Sequence, residues 1–323
     1  MRRAAALLGV LLVLVPAAPA AADTGGRATF GVRPTGKSGP DDRPTFAYAA
    51  TPGGIFNDQV EISNAGTKPL TLKVYASDAF TPRTGGFDLL AAGAKPTDAG
   101  AWVVMSKPIV TVPARGRIIL PFTLKVPATA TPGDHSAGIV ATLTSQGTDA
   151  KGNKVSVDQR VGARVYLRIS GSLEPRLTVE GLTADYHPSR NPLSAGKTTL
   201  TYRVRNTGNV RLGAHQKVTV KTLWGTKTTA DGVADVREIL PGDAVDMTAE
   251  VKGALPAIWL TGSVAADPMA QAGDEKLPLY STTRDHGFWA VSWTLLAILV
   301  GLVLLVGGVF GVRRLRRRGR ASA

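Results

Sequence analysis

From Trp289 to Val312 the chain runs 24 residues without a charged side chain, nearly all of them Ala, Val, Leu, Ile, Phe or Gly. A helix rises about 1.5 Å per residue and a bilayer's hydrocarbon core is about 30 Å thick, so about 20 apolar residues suffice to cross it. The next eight positions hold Arg313, Arg314, Arg316, Arg317, Arg318 and Arg320 with no acid among them. A basic block directly after an apolar span marks the cytoplasmic side. At the other end stand Phe288, Trp289 and Trp293, whose rings favour the membrane–water interface. A soluble helix keeps a polar face, and this run has none. Residues 289–312 are therefore expected to form a transmembrane helix, and residues 313–323 a cytoplasmic basic tail.

The N-terminus points the same way. Met1-Arg2-Arg3 is a basic start, Ala4–Val15 is an apolar run too short to span, and Ala20-Ala21-Ala22 is a small-residue cleavage pattern. Residues 1–22 read as a secretory signal peptide. The chain is expected to be a single-pass protein of the cell membrane, N-terminus outside, with its ectodomain in the cell-wall space. The formal charge of +14 includes Arg2, Arg3 and the six tail arginines, so the exported part keeps a net charge of +6. That balance suits an anionic wall environment. Nucleic acid is not expected as a partner, because the densest basic cluster is the tail. There is no cysteine, so hydrophobic cores alone must hold the exported part, and no lipidated cysteine can anchor it. Leu277-Pro278-Leu279-Tyr280-Ser281 begins like a sortase signal but has Tyr280 and Ser281 where threonine and glycine belong, which leaves the helix as the anchor.

Between these ends the pattern is that of strands. Ile118, Leu120, Phe122, Leu124 and Val126 alternate with more polar neighbours, as do Leu70, Leu72 and Val74, and the run from Val161 to Ile169. Leu200, Tyr202 and Val204 open a second set, continued by Val218 and Val220 and by Val245, Met247, Ala249 and Val251. Period-two alternation rich in β-branched residues means half-buried strands, and Gly, Pro, Asn and Asp at short intervals supply turns. The expected fold is all-β: two tandem immunoglobulin-like β-sandwich domains plus one C-terminal transmembrane α-helix. Pro121 lacks the N–H a central strand needs, which predicts a sheet edge or a bulge there.

A weak internal repeat supports two domains. Val60-Glu61-Ile62-Ser63-Asn64-Ala65-Gly66 corresponds to Tyr202-Arg203-Val204-Arg205-Asn206-Thr207-Gly208, and Ala137–Ala141 to Thr261–Ala265. The Asn and Gly of each unit are read as turn residues tolerating positive φ. The first sandwich is placed at 27–171, the second at 173–266, and a polar stalk at 267–288. Trp224 and Trp259 are expected to fill the second core. The stretch from Thr81 to Gly100 carries little strand pattern, and so long a loop in a small sandwich is either functional or an irregular surface connection.

Phe30-Gly31-Val32-Arg33-Pro34 opens the first domain, and Pro52-Gly53 precedes the strand ending in Asn64. Thr84-Gly85-Gly86-Phe87, the Pro113 strand and Gly133-Asp134-His135-Ser136-Ala137-Gly138-Ile139 follow in order. This order resembles the peptidoglycan-binding domain of WxL-interacting proteins of Gram-positive bacteria. The resemblance covers roughly residues 29–173 and implies peptidoglycan as the ligand of the first domain. For the second it implies host or partner surface proteins, including secreted proteins that carry a Trp-x-Leu motif. The second half here is short and reads as a generic immunoglobulin-like repeat. The one literal Trp-x-Leu, Trp293-Thr294-Leu295, lies inside the apolar span and is given no meaning.

Catalytic patterns are sparse. His135, His187, His215 and His286 are scattered without metal-ligand spacing, so neither a metal nor a cofactor is expected. Ser194-Ala195-Gly196-Lys197 has a Ser-x-x-Lys spacing, but those enzymes set the serine at a helix start, and a strand pattern follows here. The expected protein is not an enzyme. It binds peptidoglycan through its first sandwich and tethers surface proteins. The alternative is an accessory subunit that docks another surface protein without touching the wall. Sugars stack on exposed rings, which makes Tyr75, Phe80, Phe87 and Trp102 candidate binding residues, with Arg83 a partner for wall carboxylates. Core packing is the competing reading for Phe87 and Trp102.

Overall fold

The computed structural model describes residues 28–319 except 37–38, 40, 149–151, 190, 192–193, 255–257, 273 and 275. The expected signal peptide and the last four tail residues lie outside the described residues. Residues of the first half form β1 (Phe30–Thr35), β2 (Phe46–Ala50), β3 (Ile55–Asn64), β4 (Leu70–Phe80), β5 (Asp88–Leu89), a single turn α1 (Ala99–Trp102), β6 (Val103–Met105), β7 (Ile109–Val112), β8 (Arg117–Lys125), β9 (Gly133–Thr148) and β10 (Lys154–Ile169). The second half gives β11 (Leu177–His187), β12 (Gly196–Asn206), β13 (Leu212–Thr222), β14 (Lys227–Thr229), β15 (Val236–Ile239), β16 (Ala244–Ala254), β17 (Trp259–Met269) and β18 (Thr282–Trp289), followed by α2 (Trp293–Gly319).

These strands build two immunoglobulin-like sandwiches. In the first, the sheet β1-β3-β8-β6 faces the sheet β2-β10-β9-β4-β5, with β7 also on β4. Pairing is antiparallel except between β2 and β10. In the second, β11-β12-β16 faces β14-β13-β17-β18, with β15 also on β13. The alternation sets the faces: Leu120, Phe122 and Leu124 of β8 and Ala163, Val165, Leu167 and Ile169 of β10 all point into the first core. Leu200, Tyr202 and Val204 meet Leu212, Ile239, Leu260 and Phe288 in the second. Each fully buried Leu or Ile contributes about 1.5–3 kcal/mol by leaving water.

Tyr202 is a local defect in that core. Burial pushes its phenol up to about 12, and its hydroxyl is buried with no hydrogen-bond partner among the described residues. An orphaned buried hydroxyl costs more than its removal. Tyr202→Phe is therefore expected to raise stability by about 1 kcal/mol, read as a higher midpoint in urea unfolding.

Four expectations are corrected here. β8 lies inside its sheet, between β3 and β6. Pro121 is tolerated because β6 is three residues long and ends opposite Phe122, and the Pro121 carbonyl still accepts from Ser106 N–H at 3.1 Å. The Asn-x-Gly units do not use positive φ, since none of Asn64, Gly66, Asn206 and Gly208 takes it. The asparagines are instead buried clamps. Asn64 Nδ2 donates to the carbonyls of Lys68, Val112 and Pro113, and Asn206 Nδ2 to those of Val210 and Ile239. Each Oδ1 accepts the N–H of the glycine two residues on. The stalk is also mostly absent: Thr282–Trp289 is β18, paired along β17 from Trp259↔Trp289 to Ala266↔Thr282, so the second sandwich runs to Ala290. Finally, Trp224 is 76% exposed and Trp259 is 37% exposed, and neither belongs to the second core. Both stand at strand ends, beyond the positions whose alternation points inward.

Candidate functional site at the join of the two sandwiches

β10 alternates core and surface, so Arg164, Tyr166 and Arg168 share the outer face of its sheet while their neighbours fill the core. The register of the β9–β10 hairpin sets Asp134 directly opposite Arg168 and Ser136 opposite Tyr166. On the other side, the β12–β13 turn brings Asn209 and Arg211 to the same place. Asp134 is the centre of the arrangement. Its carboxylate accepts Arg168 Nε at 2.6 Å, Arg168 Nη2 at 2.7 Å and the Arg211 backbone N–H at 2.8 Å. Arg168 turns its other edge to Asp274 of the second sandwich, with Nη1 on Oδ1 and Nη2 on Oδ2. These two carboxylates hold the Arg168 guanidinium well above its ordinary pKa against the desolvation that opposes charge. Two-point guanidinium–carboxylate contacts are the strong, directional kind.

A second rung lies beside the first. The Arg211 guanidinium sits 3.8 Å from the centre of the Tyr166 ring and pairs with Glu238 at 3.0 Å, and Glu238 also accepts the Tyr166 hydroxyl at 3.2 Å. Arg164 covers Phe87 at 4.5 Å, and Phe87 meets Tyr166 edge-on at 5.9 Å. The backbones are also tied, through Asp134 N–H to the Asn209 carbonyl (2.7 Å) and Asp246 N–H to the Arg83 carbonyl (2.8 Å). Thr81 donates its N–H to Asp243 at 2.6 Å, and its hydroxyl accepts Leu240 N–H. Burial pushes the Asp243 carboxyl up, against that N–H. Two glycines are required by this contact. Gly133 has φ +120°, and a Cβ there would lie 2.4 Å from the Asn209 carbonyl; one on Gly208 would lie 1.9 Å from that of Glu174.

Two cavities, of about 280 and 240 Å³, open along the join. Asp134 lines both, Arg168 and Arg211 the first, His135 and Asp243 the second. His135 Nδ1 faces Asp98 Oδ1 at 2.7 Å, and Nε2 faces the Thr131 carbonyl at 3.0 Å. Both partners are acceptors, an arrangement that favours the doubly protonated ring. Burial opposes that charge, but Asp98, Thr131 and the nearby Asp134 outweigh it and lift the imidazole above its ordinary 6.5. A raised folded-state value stabilises the fold fully below about pH 6.5, and this contribution is lost as pH rises through the folded value. The thermal midpoint is expected to fall from pH 6 to pH 8.5 by more in the parent chain than in His135→Gln.

The five candidate binding residues do not share one surface. Arg83 reaches Asp246 of the second sandwich at 3.4 Å, and Phe87 is engaged by Arg164 and Tyr166. Trp102 is half-buried against the first core with its ring 4.9 Å from His135. Tyr75 lies on the outer face of β4 under Lys73, and Phe80 is half-buried at that strand's end. The 81–100 segment is no free loop either. The buried Asp78 carboxylate accepts the N–H groups of Thr97, Asp98 and Gly100 at 2.6–2.9 Å. Lys197 of the Ser-x-x-Lys spacing stands in β12 and pairs with Glu250. Among the described residues, no three His, Asp or Glu side chains converge as metal ligands would. Sequence reasoning met Asp134 only as a member of the Gly133–Ile139 motif and passed over Arg168, Arg211 and Asp274. The readable hint was three long or aromatic side chains at successive outward positions of the strand that enters the domain join.

No protein-family model matches the chain, and no curated protein matches it. The chain is similar to the class 5 fimbriae chaperone CfaA, at 11% identity over 82% of this chain and 100% of that one, with a TM-score of 0.39. It is also similar to the Pseudomonas aeruginosa CupB2 chaperone (13%, 77% and 99%, 0.32) and the E. coli chaperone DraB (11%, 74% and 92%, 0.31). At these values the likeness is one of fold and extends no further.

Proposed function

We propose that this chain is a non-enzymatic, membrane-anchored surface protein whose first sandwich binds cell-wall peptidoglycan and whose second carries it at the membrane. The observation that carries the anchored reading is α2. Leu296–Arg313 has a mean hydropathy of 2.4 and none of it is buried against the sandwiches, so in water it would expose a continuous apolar cylinder. The basic tail sets that end in the cytoplasm. The charges at the join are consumed by one another, which suits a rigid connection between modules. The wall ligand rests on the WxL-interacting resemblance.

With Arg83 turned to Asp246 of the second sandwich and Phe87 engaged by Arg164 and Tyr166 of β10, a groove of about 430 Å³ on the first sandwich is the better place for the ligand. Asn57, Gln59, Ser106 and Thr123 supply amides and hydroxyls, and Val104 an apolar wall. Membrane confinement raises the effective concentration of a weak binder, so a shallow groove suffices for tethering. The full chain in detergent micelles is expected to pellet with insoluble peptidoglycan. Gln59→Ala with Asn57→Ala should lower the bound fraction several-fold, and Arg83→Ala should leave it unchanged. No pelleting above background at low salt would remove the wall-binding reading and turn attention to a protein partner on the short β6 edge, beside exposed Val104 and Ile119.

A further inference from the structure

Four of the chain's five tryptophans, Trp224, Trp259, Trp289 and Trp293, fall in the second half, and the register gathers them at one end of it. Thr222 at the end of β13 pairs with Leu260 near the start of β17, and Trp259 pairs with Trp289 at the end of β18. The tight turn after Thr222, closed by Gly225 N–H on the Thr222 carbonyl, holds out Leu223 and Trp224, 72% and 76% exposed. Ile258 and Trp289 are exposed beside them, and the Trp259 and Trp289 rings meet edge-on at 5.1 Å. This is the end from which α2 leaves. Only residues 290–292 separate β18 from α2, and they are not slack. Ala290 and Ser292 are buried, Ala290 N–H reaches the Ile258 carbonyl, and the Ser292 carbonyl already accepts Leu296 N–H.

From these we infer that the α2 end of the second sandwich rests directly on the outer face of the bilayer, with Leu223, Trp224, Ile258, Trp259 and Trp289 seated among the lipid headgroups. The inference rests on the reading of α2 as a membrane span. The 18 residues Leu296–Arg313 cover about 27 Å, close to the thickness of the hydrocarbon core. That sets Leu296 at its outer boundary. From Leu296 back to β18, residues 293–295 add about 4.5 Å of helix and the three linking residues at most about 11 Å, while the headgroup zone is about 5–8 Å deep on each side. Because Ala290 and Ser292 are buried and Ala290 N–H is held on the Ile258 carbonyl, that reach is not free slack, and the strand ends lie at or just above the headgroups. Indole and phenol rings are the side chains that favour this zone. Lys221 and Lys227, exposed and opposite each other in register beside the turn, suit anionic phospholipid headgroups.

Because the chain has no cysteine, single spin labels can be placed cleanly. The full chain would be reconstituted in phosphatidylcholine–phosphatidylglycerol vesicles with a nitroxide at Thr226→Cys, Leu302→Cys or Val157→Cys. Access of each label to oxygen and to a water-soluble nickel chelate reads its depth. The expected result is Leu302→Cys deep in the core, Thr226→Cys at headgroup depth and Val157→Cys in water. Adding Leu223→Ser and Trp224→Ser should raise nickel access at Thr226→Cys several-fold. Thr226→Cys as open to nickel as Val157→Cys, with Leu302→Cys still deep, would overturn the seated sandwich and leave the anchor standing. Leu302→Cys open to nickel would overturn the anchor itself.

Discussion

Replacing Asp134 with alanine is expected to destabilise the join by about 3–5 kcal/mol, the usual consequence of stripping one partner from a buried ion pair. Asp134 is 4% exposed at its side chain, and Arg168, which it grips at two points, is 25% exposed. The loss also orphans the Arg211 backbone N–H and leaves Arg168 only Asp274. Because this cluster couples two otherwise separate cores, the effect should be on cooperativity as well as on magnitude. Calorimetry of the parent chain is expected to show one coupled transition, and of Asp134→Ala two. Glu250→Gln is the control. It breaks the exposed pair with Lys197, where the cost should stay below about 1 kcal/mol. A single unsplit transition in Asp134→Ala would mean that the apolar and backbone contacts hold the join without the clasp.

Asn206→Ala is expected to cost about 4 kcal/mol, because three backbone groups lose their partner together. Asn206 is fully buried. Its amide satisfies the Val210 and Ile239 carbonyls, and its Oδ1 the Gly208 N–H. Each such group left unpaired away from water costs roughly 1–3 kcal/mol. Asn206→Asp should fare little better, since a carboxylate cannot donate to the two carbonyls. The twin site gives an internal check. Asn64 makes the same kind of contacts in the first sandwich, with one carbonyl more, so Asn64→Ala should show a loss of at least similar size by chemical denaturation.

Strands whose two faces differ were legible in the sequence. β8 and β10 alternate cleanly because one face is core and the other is not, and that is the signal period-two reading detects. β18 was not legible, because Thr282-Thr283-Arg284-Asp285-His286-Gly287-Phe288-Trp289 buries only Phe288. An edge strand exposed along most of its length carries almost no alternation, and its polar residues read as a stalk. The asparagine repeat was visible as a pattern but misjudged in mechanism, because burial is a property of the assembled fold. Asn64 and Asn206 look like turn residues until the carbonyls of distant strands close over them. The same holds for Asp134, which has no Lys or Arg within ten residues on its C-terminal side; its partner Arg168 lies 34 residues away in sequence.

The most direct test of the central claim, a membrane-anchored protein with both sandwiches outside, is labelling in intact cells with a membrane-impermeant maleimide. The parent chain is silent because it lacks cysteine. Val157→Cys, exposed on β10, is predicted to label in intact cells, and Ser322→Cys only after lysis. Labelling of Ser322→Cys in intact cells, or protection of Val157→Cys until lysis, would contradict the account.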